Sequence, residues 1–212
     1  MSGFLNVFLC FMLWAVVALH PSTSTPLPIV YIYIVVPTVC HLGLPAYIKT
    51  SLSHSILTQP DSHVVLVTNA GECVKVTESV QSIAGLTVLD SVSLASQQTS
   101  IFHNLSKNIF VKDNSSELWM TSALRFFVLE DVMRARGYSD LLHVEADNML
   151  YGPVTSVLPT LRQHYPLAAT PLTFSKTMVT ASVLWVSGKG QLAHLTSFLL
   201  DLVRNRNYNF DR

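Results

Sequence analysis

The sequence predicts an α/β fold with a mainly parallel central sheet. Three observations carry that expectation. Residues 29–36, Ile-Val-Tyr-Ile-Tyr-Ile-Val-Val, form an unbroken β-branched and aromatic run, the mark of a strand buried on both faces. A helix-spaced segment then leads to a second run, His63-Val64-Val65-Leu66-Val67-Thr68. A strand–helix–strand unit of that length requires a right-handed crossover between parallel strands. A third apolar run, residues 141–144, repeats the pattern late in the chain.

Composition narrows the class. A chain of 212 residues suits one domain with a sizeable core. Charged residues are 12% and hydrophobic ones 50%, which excludes disorder. The formal net charge is zero, so there is no basic footprint for nucleic acid. The chain has no Walker phosphate loop and no G-x-G-x-x-G after a strand. It also lacks H-E-x-x-H, C-x-x-C and G-x-S-x-G. Those absences argue against nucleotide hydrolases, dinucleotide oxidoreductases, zinc proteases and serine esterases.

The elements follow in order. Residues 4–19 are almost wholly apolar, without an acid or base. The stretch is short beside the roughly 20 residues of a membrane span. It suits the apolar region of a signal peptide or a short anchor, and the small polar residues after it suit a cleavage region or stem. Residues 1–28 are therefore expected to be a signal peptide or short signal anchor plus stem, with the folded domain at 29–212. Two sequons, Asn104-Leu105-Ser106 and Asn114-Ser115-Ser116, agree with a lumenal address. Cys10 lies in the leader. Cys40 and Cys73 each follow a predicted strand, and a disulfide or two separate buried thiols both fit.

Pro37 ends the first strand. Pro45 opens a helix in which Tyr47, Ile48, Leu52 and Ile56 recur at helical spacing, until Gln59-Pro60-Asp61 breaks it. Thr38 and Asn69, just past the first two strands, are either ligand contacts or turn residues. Val76, Val80 and Ile83 mark a weak helix, and residues 86–89 an edge strand. Residues 91–100 are polar and predict a surface loop.

Asp113-Asn114-Ser115-Ser116-Glu117 is a helix-start cluster, and Gly137 is the stop. Between them the sequence is apolar around most of the helix girth, as in a buried helix. Arg125 stands alone in that burial and must find an anion, either a carboxylate of the protein or a phosphate of a ligand. Glu130, Asp131, Arg134 and Arg136 predict a solvated face. Val154, Val157, Leu158 and Leu161 suggest a helix interrupted by Pro159. Residues 167–170 and 180–186 predict further strands, and Leu192, Leu195, Leu199 and Leu202 a last helix.

The chemistry-bearing stretch is His143-Val144-Glu145-Ala146-Asp147-Asn148. Two carboxylates follow where the third apolar strand ends, and Met149-Leu150-Tyr151 then runs into the turn signal Gly152-Pro153. In open α/β sheets ligands bind outside the carboxyl ends of the strands. A carboxylate pair there can hold a divalent cation, whose other oxygen ligands come from phosphate and water. The plainer alternative is a pair of loop charges, or acids that only neutralise Arg125 or Lys176.

The strand series, Glu117-Leu118-Trp119, Arg125-Phe126-Phe127 and the Glu145-Ala146-Asp147 block together resemble glycosyltransferases of the GT-A fold. That superfamily carries a D-x-D motif at a strand end, and here the first position is Glu145. The similarity spans about residues 29 to 200, with only the motif block specific. It implies a Rossmann-like three-layer sandwich, truncated at the C-terminus. It further implies a hexosyl- or pentosyltransferase moving a sugar from a nucleotide-sugar donor to a glycan, protein or lipid acceptor. Mn²⁺ or Mg²⁺ would be held by Asp147 and Glu145, with Arg125, Glu145, Asp147 and Asn148 binding donor. The resemblance further implies residence in the Golgi or ER lumen as a type II membrane protein, or secretion. His164, His194 and Asp201 are candidate bases by residue type alone. A lumenal binding domain of the same fold, without catalysis, is the alternative.

Overall fold

A computed structural model describes residues 25–35, 37–69, 71, 73–110, 116–171 and 179–205. Strand β1 (Leu27–Tyr33) is the strand the sheet grows from. It is parallel to β2 (Ser62–Thr68) on one side and to β4 (Asp140–Glu145) on the other. β3 (Thr87–Asp90) extends the β2 side in parallel. β6 (Val179–Ser187) is antiparallel to β4, and β5 (Leu167–Pro171) is antiparallel to β6. The strand order is β3-β2-β1-β4-β6-β5. The sheet is thus mainly parallel, as expected, with two antiparallel strands at one edge. β5 is irregular between Ala169 and Thr170, where the register shifts.

The strands are continuous apolar runs because both faces are covered. Alternate residues feed two cores. On one face Ile29, Tyr31, Val64, Leu66, Leu142, Val144 and Trp185 pack under α1 (Ala46–Thr58) and α2 (Val74–Gln81). On the other, Val30, Val65, Val67, Leu141, Leu184 and Val186 pack under α4 (Gln97–Phe110), α5 (Ser116–Arg136) and α7 (Lys189–Asn205). The short α-helices α3 (Ser91–Leu94) and α6 (Leu158–His164) are the remaining α-helices among the described residues. The result is a three-layer α/β/α sandwich.

Helix α5 touches the sheet, α4 and α7, which explains its apolar girth. Phe127 stacks on Phe102 of α4 with ring centroids 4.2 Å apart. The helix stops where predicted. Gly137 takes φ 68°, a left-handed turn, and the Tyr138 amide donates to the Met133 carbonyl at 3.1 Å.

Two expectations fail here. Residues 91–100 are not a loop but α3 and the start of α4. The reason is a buried acid. Asp131 is only 2% exposed, so it does not belong to a solvated face. Its Oδ2 accepts from the Ser96 amide at 3.0 Å and the Thr99 hydroxyl at 2.5 Å, fixing the first turn of α4. Ser96 Oγ also accepts from the Thr99 amide, as an N-cap does.

The loops at the carboxyl ends of β1 and β2 are stitched together. The Asn69 side chain accepts from the Val35 amide and donates to the Val35 carbonyl, each at 2.8 Å. Asn69 is therefore a structural clamp here. Cys40 and Cys73 form a disulfide, with Cα atoms 5.2 Å apart. The side chain of Thr38 lies outside the described residues, as do the side chains of 108–119. Among the described residues no helix is long and apolar enough to cross a membrane. Residues 1–24, on which the signal or anchor expectation rests, are outside them.

The bridge closes a segment of 33 residues. Chain-entropy arithmetic puts its loss at about 3–4 kcal/mol. A Cys40→Ser/Cys73→Ser double variant should lose that much in denaturant unfolding. Thiol titration of the unfolded wild-type protein should find Cys40 and Cys73 unreactive until reductant is added.

Candidate active site

The chain reverses its direction of travel across the sheet between β1 and β4. Successive strands run outward from β1 to β2 and β3, then return to β1's other side. The crevice beyond the carboxyl ends at such a switch point is where α/β sheets bind ligands. Glu145 is there, in register with Ile32 at the end of β1.

The four residues Glu145-Ala146-Asp147-Asn148 form a turn closed by the Asn148 amide on the Glu145 carbonyl at 3.0 Å. Asp and Asn suit such a turn because their short side chains tolerate its backbone. The turn separates the two carboxylates. Asp147 is exposed and carries no ion pair among the described residues. Glu145 is half-buried and paired with Arg125, its side chain 28% exposed and that of Arg125 17%. Arg125 also donates to Ser122 Oγ at 3.2 Å, one turn earlier on α5. The lone arginine of the buried helix has therefore found a carboxylate of the protein.

Burial alone would raise the Glu145 pKa. The hydrogen bond and charge of Arg125, with help from the Ser182 hydroxyl, outweigh it and hold the group below the usual carboxylate range. Asn148 turns the other way, its amide nitrogen donating to the Ser182 carbonyl of β6 at 3.3 Å. Ser182 thus supports both ends of the turn.

Behind Glu145 on the same strand lies His143. Its Nδ1 contacts the Val30 carbonyl at 2.9 Å, and a carbonyl can only accept, so Nδ1 carries the proton. Nε2 is then a bare acceptor, buried without a partner among the described residues. Burial pushes the imidazole down to about 4, and nearby Arg125 works in the same direction.

The segment after the turn is held from α1. The Gln59 side chain, at the end of α1, donates to the Gly152 carbonyl at 2.8 Å and accepts from the Val154 amide at 2.9 Å. Thr58 donates to the Leu150 carbonyl at 3.0 Å. Tyr151 is 78% exposed, with the edge of His54 against its ring and its hydroxyl donating to Met149 Sδ at 3.6 Å. Polar bonds to backbone fix this segment together with Leu150 and Val154, which pack against the core.

The candidate bases are elsewhere. His164 is on α6, whose Arg162 grips Asp140 at the start of β4, the opposite end from Glu145. His194 is exposed on α7. Asp201 lines an open groove between α4 and α7, 3.9 Å from Arg204. Lys176 is outside the described residues.

Among the described residues no three His, Cys, Asp or Glu side chains cluster as a metal site. The turn nonetheless offers hard oxygen ligands, one of them on an exposed carboxylate. That donor set fits Mg²⁺ or Mn²⁺ when phosphate and water complete the shell.

No protein-family model matches the chain, and no curated protein does. Solved structures do. The PaToxG glycosyltransferase superposes with a TM-score of 0.58 at 8% identity, over 87% of this chain and 63% of that one. GlyE, a glycosyltransferase of Streptococcus pneumoniae TIGR4, gives 0.53 at 15% identity, over 89% and 41%. Mouse xyloside xylosyltransferase 1 gives 0.52 at 8%, over 87% and 77%. The chain has a GT-A-like fold, which it shares with these proteins. It spans 63% and 41% of the lengths of the first two of these proteins.

Within the GT-A-like fold the sequence had pointed to Arg125, Glu145, Asp147 and Asn148. The structure brings Arg125 and Glu145 into contact and leaves Asp147 outward. Asn148 serves the turn itself. Sequence reasoning missed Ser182 and Gln59, and gave His143 no role of its own. The one available signal was His143 inside an apolar strand.

Two outcomes follow from this geometry. Arg125→Met strands a half-buried carboxylate and should cost about 1–2 kcal/mol, after discounting for solvent at Glu145. The same variant should raise the Glu145 pKa, read by carboxylate NMR. His143 has a folded pKa of about 4 against an ordinary 6.5. The unfolded chain therefore takes up this proton first as pH falls. The site's contribution to stability should decline from about pH 6.5 to pH 4, by about 3 kcal/mol in all. In denaturant titrations across that window, His143→Asn should flatten the slope, because its amide can donate to Val30 without titrating.

Proposed function

We propose that the protein is a glycosyltransferase that moves a hexosyl or pentosyl unit from a nucleotide-sugar donor to an acceptor hydroxyl. The observation that supports this best is the Glu145–Asn148 turn. It places an exposed carboxylate beside an arginine-paired one at the switch point of a GT-A-like sheet. Asp147 is the ligand open to a divalent cation, and Glu145 is the second carboxylate of the motif. When bound, Mn²⁺ or Mg²⁺ would act as a Lewis acid toward the departing diphosphate. The protein's own work is positioning. Arg125, held by Glu145, carries positive charge to the crevice mouth, where it can meet a phosphate oxygen. Asn148 and Ser182 hold the turn in place. The clamp of Asn69 on Val35 and the Cys40–Cys73 bridge set the opposite lip.

The bridge also supports an oxidising compartment. With the apolar leader, it favours the Golgi or ER lumen, anchored by the N-terminal segment, or secretion. One observation favours a second reading: Glu145 is already neutralised by Arg125, which is what a binding domain without catalysis would tolerate.

Thermal stabilisation across a panel of nucleotide sugars with Mn²⁺ separates the two. A true donor at 100 times its dissociation constant should add about 2.7 kcal/mol. That gain should need the metal and vanish in Asp147→Ala. A flat panel, or an Asp147→Ala protein stabilised as well as wild type, would refute donor binding through this motif.

A further inference from the structure

The sequon Asn104-Leu105-Ser106 plays no part in the candidate site. It lies within helix α4. In an α-helix, residues two apart point about 200° from each other. The structure bears this out. Asn104 is exposed, whereas Ser106 is 0% exposed and its hydroxyl donates to the His103 carbonyl at 3.1 Å. Thr99 and Phe102 share the buried stripe with Ser106. A folded α4 cannot offer both the amide and the hydroxyl of the sequon to one enzyme.

We infer that Asn104 carries an N-linked glycan, added before α4 docks on α5. The inference rests on the lumenal address proposed above, not on sugar transfer. In the step, Asn104 Nδ2 forms a bond to the anomeric carbon of an oligosaccharide carried on a polyisoprenyl diphosphate. The bond from that carbon to the diphosphate breaks, the lipid diphosphate leaves with the electron pair, and the amide gives up one proton. No oxidant or reductant is needed. The finished fold accommodates the product, because a sugar on Asn104 stands on the solvent side of α4 while the Phe102 and Ser106 stripe stays buried. The disulfide points independently to the same compartment, since both modifications belong to the oxidising secretory lumen.

The test is expression of the full chain in secretory eukaryotic cells, with enzymatic deglycosylation and peptide mass mapping. The peptide carrying Asn104 should bear a glycan in the wild-type protein. Asn104→Gln should remove one mobility step. Ser106→Thr should keep the glycan. Ser106→Ala should lose it and also destabilise the fold, which is why Asn104→Gln is the decisive variant. The second sequon, Asn114, lies outside the described residues and serves as the control. A glycan at Asn114 with Asn104 bare would overturn this site and leave the lumenal address standing. Glycan at neither would overturn both.

Discussion

A carboxylate drawn half out of water at the end of β4 stays charged because a guanidinium reaches it from α5. Everything proposed for the crevice depends on that contact. Without Arg125, burial would push Glu145 toward its neutral form, and the motif would offer one charged oxygen pair instead of two. Without Glu145, Arg125 would sit in an apolar helix with the neutral Ser122 hydroxyl and without its paired carboxylate. Each half makes the other tolerable, and together they leave Asp147 outward and uncommitted. The turn that separates them is thus a division of labour: one acid faces the helix and its neighbour faces solvent.

The surrounding structure keeps this arrangement in register. The turn is held from β6 through Ser182, and the segment beyond it from α1 through Thr58 and Gln59. Across the crevice, the loops after β1 and β2 are joined by Asn69 and by the disulfide. All these ties are polar or covalent. Those of Ser182, Asn69 and the disulfide lie at the carboxyl edge of the sheet, whereas Thr58 and Gln59 hold the returning segment near the start of β2, where the Ser62 amide donates to the Gln59 carbonyl. The two apolar cores lie on the faces of the sheet between the layers. That pattern is expected where a site must be rigid but cannot be covered, since hydrogen bonds to backbone fix a loop without burying it.

Much of the fold was legible from local pattern. β1, β2 and β4 were visible because a strand covered on both faces must be apolar throughout, and α5 because three neighbours demand an apolar girth. Arg125's need for an anion was visible because a lone buried cation must be neutralised. What escaped was whatever depends on partners far along the chain. α4 looks like loop until Asp131, 35 residues beyond Ser96, caps it. Gln59 looks like a helix breaker, and its partner Val154 is 95 residues on. The antiparallel sense of β5 and β6 is set by their pairing with each other and with β4, which local pattern does not report. His143 opened the motif block but was given no role of its own, since no periodicity tells how a buried imidazole is bonded.

The central claim is that Asp147 presents a carboxylate to a cation that also grips a diphosphate. Electron paramagnetic resonance of Mn²⁺ measures this most directly. Addition of a nucleoside diphosphate and wild-type protein should broaden the aqueous Mn²⁺ signal well beyond what the nucleotide alone produces. Asp147→Asn, which keeps the size and the turn but removes the charge, should abolish that added broadening. An Asp147→Asn protein that sequesters Mn²⁺ and nucleotide as wild type does would contradict the account.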